Sequence, residues 1–333
     1  MWVFYPKINN PRIKNYQRIK ITKFFIHSSF NQLIKNFFYK DGKMNYNSVD
    51  VSCLGTCNID FISRVPFFAQ AEDEVDVKKL YICLGGSALN FASRISSLGF
   101  KTGIMARVGE DYYGMLIGQE LRQMGIDTRR LLSLDDDTGM AFVAIDEEGE
   151  KSVYSYIGAN AHFKLEKEDK DYIKNSNHLH LTGMYSEVAE EASKYANQLS
   201  FNPGTPLSAM GIEKLENIIK RTKILFLNQN EVSLLTKMKG EDGISLLLEM
   251  GVLMVVVTSA GEGARLFTEE GMIFSPAKEV CAVDTTGAGD NFAAGFIASF
   301  MKGNELKECL DLASHTASLC VGKIGGTTSR IRF

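Results

Sequence analysis

Apolar and polar positions along the chain fall into short blocks with two distinct periods. Val49 to Gly55 (V-D-V-S-C-L-G) has the length and content of a buried strand, and T-C-N-I-D-F-I follows at once. Asn58 and Asp60 stand two apart there, so on an extended backbone they face the same way. After a span of mixed character through Lys79, L-Y-I-C-L reads as a strand running into Gly85 and Gly86. Ala88, Phe91, Ala92, Ile95 and Leu98 then recur at helical spacing, with Asn90 one turn into that helix. Residues 138–146 and 151–157 alternate like paired strands around the turn E-E-G-E. Beyond Leu181 the runs alternate: a helix from Ser186 to Leu199, F-N-P-G as an extended end, a helix to Arg221, I-L-F-L-N as a strand, E-V-S-L-L-T-K as a helix and V-L-M-V-V-V-T-S as a strand. This β-α repetition predicts an α/β fold with a mostly parallel sheet flanked by helices, and ligands beyond the carboxyl ends of its strands.

The densest chemistry lies in V-C-A-V-D-T-T-G-A-G-D-N-F from Val280 to Phe292. The pattern predicts a strand ending at Val283, a turn of small residues, and a helix starting near Asp290 with an apolar stripe at Phe292, Phe296 and Phe300. Unpaired amides at such a helix start, on residues without bulky side chains, form a donor site for phosphate oxygens. A carboxylate beside bound phosphate calls for a reason, and proton removal from an attacking hydroxyl supplies one for Asp290. A lone aspartate after glycine would be read as a helix cap, but capping does not need two glycines, two threonines and two aspartates in a row. A dinucleotide fingerprint fails because Phe292 stands where its third small residue belongs. A second helix is expected from Glu305 to Val321.

At D-T-T-G-A-G-D the chain resembles the ribokinase-like, phosphofructokinase type B (PfkB) family of small-molecule kinases, and the stretch from Gly85 through M-A-R-V-G-E-D-Y-Y-G is similar to that family's amino-terminal signature. The resemblance implies a three-layer α/β/α fold with a small β-sheet lid, its strands from about 60–84 and 138–158. It implies Asp290 as catalytic base, with the amides of Gly287, Ala288 and Gly289 as anion hole. Asn58, Asp60, Gly85, Gly86 and Asn90 would meet a sugar. Thr258, Ser259, Gly261, Gly263 and His315 would hold the nucleotide, ATP. Asn228 and Glu231 of N-Q-N-E would order Mg2+ through water, and Asp284 with carbonyls of the final loop is a candidate for a monovalent cation such as K+. Without the resemblance, N-x-x-E is equally a helix-start cap, and the two glycine pairs are turns. Dimers joined through the lid are frequent in the family.

Composition adds limits. The chain has 333 residues, of which 45% are hydrophobic and 23% charged, enough for one large or two small domains. No apolar run reaches the roughly 18 residues that span a bilayer. Six scattered cysteines, without a CxxC pair, read as reduced and mostly buried thiols of a cytoplasmic protein. His178 and His180 share a strand face with no third ligand near, and read as a packed strand end. Residues 1–43 carry nine basic residues against the single acid Asp41, a formal +8, so a chain total of −3 leaves −11 for the rest. The segment reads as an extension outside the kinase domain of 44–333, and the acidic body argues against nucleic acid. The expected function is an ATP-dependent sugar kinase. A nucleoside kinase of the same family is the alternative, and a catalytically silent sensor of sugar or nucleotide the alternative of another class.

Overall fold

Runs of aliphatic and β-branched residues form thirteen strands in a computed structural model that describes residues 48–327. In chain order they are β1 (Val51–Leu54), β2 (Asn58–Arg64), β3 (Lys79–Gly85), β4 (Thr102–Gly109), β5 (Asp127–Leu134), β6 (Gly139–Ile145), β7 (Lys151–Tyr156), β8 (His178–Thr182), β9 (Leu199–Asn202), β10 (Ile224–Asn228), β11 (Met254–Thr258), β12 (Ala264–Thr268) and β13 (Gly271–Ser275). The basic segment 1–43 lies outside the described residues. Nine strands make the larger sheet in the order β13-β12-β11-β10-β9-β8-β1-β4-β5. Its strands from β11 to β5 are parallel, and β12 and β13 run antiparallel at one edge. A separate four-stranded sheet has the order β3-β2-β6-β7, with β2 and β6 parallel and both outer pairings antiparallel.

The two-residue period of the strands sorts the core into two layers. Leu179, Leu181, Leu225, Leu227, Val255 and Val257 pack against Leu215, Ile218, Leu235 and Leu247 of the helices on one face. On the other face His180 stacks on Phe91 at 3.8 Å between ring centroids, and Phe226 meets Phe292 and Phe296 edge-on at 6.5 and 5.6 Å. His178 and His180 share one partner, the Ser200 hydroxyl, at 2.7 and 2.8 Å, and burial holds both imidazoles below their usual range. Five of the six cysteines are buried and Cys281 is exposed; all are free thiols. Among the described residues no helix is long and apolar enough to cross a membrane. The smaller sheet places Ile62, Cys83, Val143 and Ile145 against Ile324 and Val283, so its apolar face rests on the final loop and on the segment before the Ala288–Met301 helix.

Three boundaries differ from the sequence pattern. The helix at Ser186 stops at Ser193, because Leu199 pairs with Leu179 as the first residue of β9. In place of one helix to Arg221 there are two, Gly204–Ser208 and Ile212–Ile219, parted at Gly211 with φ of 81°. No strand precedes the D-T-T-G-A-G-D turn. The last strand ends at Ser275, and the amides of Val283 and Asp284 both donate to the Val321 carbonyl, at 2.9 and 3.2 Å. That carbonyl closes the Leu306–Val321 helix and has no intrahelical partner, so the helix end anchors the turn where a sheet was expected.

The Ala288–Met301 helix is buried from Asp290 through Phe300. Gly295 lets it approach the last helix closely: a Cβ there would meet Ala313 Cα at 3.0 Å and run into the Thr316 hydroxyl. Gly295→Val should therefore lower stability by about 1–3 kcal/mol through overpacking. An unchanged midpoint in equilibrium urea unfolding would show that the two helices adjust freely.

Candidate active site

Thr56, Thr182, Asn202, Asn228 and Thr258 lie at or just past the carboxyl ends of β1, β8, β9, β10 and β11, and together they line a cavity of about 680 Å³. The smaller sheet contributes Asn58, Ser155 and Tyr156 to its wall, and the D-T-T-G-A-G-D turn contributes Gly289 and Asp290. Met184, Tyr185, Pro203, Leu207, Met210 and Phe226 make an apolar side. A second cleft of about 540 Å³ is lined by Thr258, Gly261 and Gly263, by Thr285, Ala288 and Gly289, and by Ser314, Ala317 and Ser318 of the last helix. Asn228, Thr258, Gly289 and Phe292 belong to both walls. The two cavities thus adjoin at Gly289, with Asp290 on the side of the larger one.

The turn is held open by its backbone. Gly287 caps the helix in the left-handed region at φ of 73°, and a Cβ there would press on Gly326 Cα at 2.6 Å and on Asn90 Nδ2 at 2.8 Å. Ala288 N donates to the Thr285 carbonyl at 3.2 Å, so of the three expected anion-hole amides that one is already engaged. Asp290 is 7% exposed and accepts from Asn90 Nδ2 at 3.0 Å. Burial pushes its carboxyl up to about 7; the Asn90 bond opposes the rise, and the charges of Asp60 and Glu231 add to it. Burial likewise raises Asp60 to about 7, reinforced by Asp284 and opposed by Lys151.

The expected substrate residues divide. Asn58 lines the larger cavity, its Oδ1 accepting from Asn160 Nδ2 at 3.0 Å. Asp60, Gly85, Gly86 and Asn90 do not line it. Asp60 packs against Gly85, where any Cβ would strike its carboxylate, and Asn90 stands behind Asp290 with its Oδ1 buried and unpartnered. Asn90 is set back because the Ser87–Ser97 helix packs it against Gly287 and Gly326. Of the nucleotide residues, Thr258, Gly261 and Gly263 line the second cleft. Ser259 instead accepts from Gln229 Nε2 at 2.8 Å, and His315 is exposed beside the face that carries Ser314 and Ala317. Neighbouring positions of a helix point in different directions, and a lone residue in sequence does not say whether it faces the cleft or solvent.

Asn228 and Glu231 form a capping box: Glu231 N donates to Asn228 Oδ1 and Asn228 N to Glu231 Oε2, both at 2.9 Å. Thr205 donates to Glu231 Oε1 at 3.2 Å. With both carboxylate oxygens so engaged, and no cluster of three or more His, Cys, Asp or Glu able to hold a metal among the described residues, the pair suits magnesium held through water and not by direct ligation. Asp284 does not suit a bare cation. Its Oδ1 meets Lys151 Nζ at 2.5 Å and accepts from Thr286 N at 2.9 Å and Thr286 Oγ1 at 2.7 Å, while Gly325 N donates to its Oδ2 at 2.9 Å. The sequence pattern did not single out Asn202, Tyr185 or the cleft wall at 277–280. Asn202 ends a strand in F-N-P-G and was reachable by the strand-end rule; the others come from connecting segments without a pattern.

Two cavities sharing a glycine-rich helix start, beside a buried carboxylate, define a phosphotransferase with an alcohol acceptor. Residues 49–332 match the model of the pfkB family carbohydrate kinases, and the chain belongs to that family. It is 32% identical to a nucleoside kinase of Methanothermobacter thermautotrophicus, over 84% of this chain and 92% of that one. It is 29% identical to an ATP-dependent ribose-1-phosphate kinase of Halopiger xanaduensis, over 84% and 95%. The nucleoside kinase structure from Methanocaldococcus jannaschii superposes with a TM-score of 0.74 at 26% identity, covering 84% of this chain and 94% of that one. Ribokinase from Thermotoga maritima gives a TM-score of 0.76 at the same identity and coverage.

The raised Asp290 carboxyl has a consequence for stability. Its value of about 7 in the folded chain lies above the unfolded 3.8, so between these limits the folded state holds a proton that the unfolded state has released. Its contribution is therefore present at pH 4 and is lost as the pH rises through 7. Asp290→Asn cannot ionise, and its melting temperature should exceed that of the wild type increasingly from pH 4 to pH 8. A difference that stays flat across that range would show the carboxyl to be unperturbed.

Proposed function

We propose that Asp290 is the catalytic base of an ATP-dependent kinase whose acceptor is a neutral sugar or nucleoside bound in the larger cavity. The observation that carries this reading is the shared wall: Asp290 faces the 680 Å³ cavity, and Gly289 beside it borders both that cavity and the nucleotide cleft. The acceptor hydroxyl oxygen bonds to the γ-phosphorus as the bond from that phosphorus to its bridging oxygen breaks. Its proton passes to the Asp290 carboxylate, and ADP leaves with the bonding pair. Asn90 aims the carboxylate through its 3.0 Å bond. The amide of Gly289, at the positive end of the helix and in the wall common to both cavities, meets the charge that develops. Magnesium, when bound with the nucleotide, supplies further charge neutralisation, and Asn228 and Glu231 are the residues that would order its water. The small sheet, which supplies Ser155 and Tyr156 to the cavity, acts as the lid over the acceptor.

The lining narrows the acceptor. It carries Glu231 and Asp290 but no lysine or arginine among the described residues, so an acceptor that already bears a phosphate or carboxylate meets two acids and no counter-charge. The apolar side formed by Met184, Tyr185, Pro203, Leu207 and Met210 gives a flat, weakly polar group somewhere to rest, which a nucleoside has and a free pentose lacks. That side favours the nucleoside reading within the same family.

Coupled ATP consumption over ribose, fructose and its phosphates, 2-keto-3-deoxygluconate, inosine, cytidine and adenosine tests both statements. Nucleosides and neutral sugars should turn over, and the anionic acceptors should not. Efficient use of a sugar phosphate would refute the neutral-acceptor assignment. Asp290→Asn should bind nucleotide as the wild type does and lose at least ~100-fold in turnover, the low end for a missing general base. The wild-type rate should rise with pH through about 7 as Asp290 ionises. Undiminished turnover in the variant would remove Asp290 from its role.

A further inference from the structure

Asp284 opens the D-T-T-G-A-G-D turn, and its side chain has no exposure to solvent. A carboxylate so placed must be compensated by charge and hydrogen bonds. The compensation comes from the smaller sheet. Lys151, the first residue of β7 and 22% exposed, brings Nζ to 2.5 Å from Asp284 Oδ1 and donates to Thr286 Oγ1 at 2.9 Å. The Thr286 hydroxyl in turn donates to Asp284, closing a three-membered ring of contacts. Burial works against the charged form of Asp284, but the bonds from Lys151, Gly325 and Thr286 outweigh it and hold the carboxyl below its usual range.

Carbonyls around the loop have donors of their own as well. The Cys320 thiol lies 3.3 Å from the Thr286 carbonyl and 3.8 Å from that of Gly326, and the Val321 carbonyl accepts two amides. A second tie runs parallel to the first: Arg64 of β2 donates to the Val283 carbonyl at 2.6 Å. The smaller sheet therefore grips Val283, Asp284 and Thr286, three of the four residues that lead into Gly287.

We propose that the Lys151 ammonium takes the place of a monovalent cation at the Asp284 loop, and that Lys151 is a positioning residue that sets the anion-binding turn when the smaller sheet is docked. The inference rests on the kinase reading for its effect on turnover, but not for its effect on the loop. Lys151 touches neither cavity; it acts through Asp284 and Thr286 on Gly287 and Asp290.

The test compares the full chain with Lys151→Met and Lys151→Arg, in tetramethylammonium chloride and in potassium chloride at equal ionic strength. Melting temperatures come first, because they need no acceptor. The wild type should melt alike in both salts, whereas Lys151→Met should melt lower in tetramethylammonium and regain part of the loss in potassium, as the bare Asp284 admits the smaller ion. In the kinase assay the wild type should run equally fast in both salts. Lys151→Met should lose about 10-fold to 100-fold in kcat, the scale of a turn displaced by an ångström, with the nucleotide KM little changed. Lys151→Arg should recover much of the rate. A wild type stabilised or activated several-fold by potassium overturns the proposal, as does Lys151→Met with wild-type kcat in tetramethylammonium. If no acceptor is phosphorylated, the kinase reading fails while the melting comparison still decides the loop. If Lys151→Met does not fold, the wild type's response to salt and Lys151→Arg decide.

Discussion

Burial and the charges of Asp60 and Glu231 both disfavour a charge on Asp290, yet the catalytic role proposed for it requires one there. An exposed aspartate is ionised at neutral pH but is a weak base, whereas a carboxyl raised to about 7 matches the acidity of its surroundings and gains driving force for accepting a proton. The cost is a destabilised folded state. Part of it is offset by the Asn90 amide at 3.0 Å, which favours the ionised form and fixes the direction of the carboxyl together. Asn90 is held in turn between Gly287 and Gly326, whose lack of side chains makes the close approach of the two loops to the Ser87–Ser97 helix possible.

Three buried carboxylates, Asp60 of the smaller sheet and Asp284 and Asp290 of the D-T-T-G-A-G-D turn, are treated differently. Asp284 is paired with a cation and with three donors and is held in the charged form. Asp60 and Asp290 lack a cation of their own and are both lifted to about 7. A negative charge on Asp60 further disfavours one on Asp290, behind the larger effect of burial. Lys151 acts on two of these groups from the smaller sheet, lowering Asp60 while it neutralises Asp284. The sheet thus influences the charge state of the site as well as its shape.

Most of the fold was legible because it depends on period and on turn residues. Strand and helix alternation from β8 to β11 follows directly from the apolar pattern, and D-T-T-G-A-G-D announces a helix start with its donors. Contacts between elements distant in sequence were not legible. Nothing in K-S-V-Y-S-Y-I says that Lys151 reaches a residue 133 positions away, and so Asp284 read as a candidate for a monovalent cation with no sign of the ammonium beside it. The same limit explains Asp60 and Asn90: spacing gives the direction of a side chain within its own element, but whether it ends in a cavity or one layer behind depends on what the other elements place in front. Val280 to Val283 has the β-branched content of a strand yet joins no sheet, since the amides of Val283 and Asp284 find an unpaired helix-end carbonyl.

The glycines of the turn separate what the fold requires from what a ligand requires. Gly287 adopts φ of 73° and would collide with Gly326 and Asn90 if it carried a side chain, so packing alone accounts for it. Gly289 has no such constraint: its backbone is helical, and a Cβ there would meet nothing within 4 Å. Alanine at that position would favour the helix by about 0.5–1 kcal/mol, so glycine is retained against the chain's own stability. The fold therefore gives no reason for a glycine at the point where both cavities meet. The proposed kinase reading gives one: an anion held by the helix-start amide next to Asp290 would lie so close to the backbone that a methyl group would stand in its way.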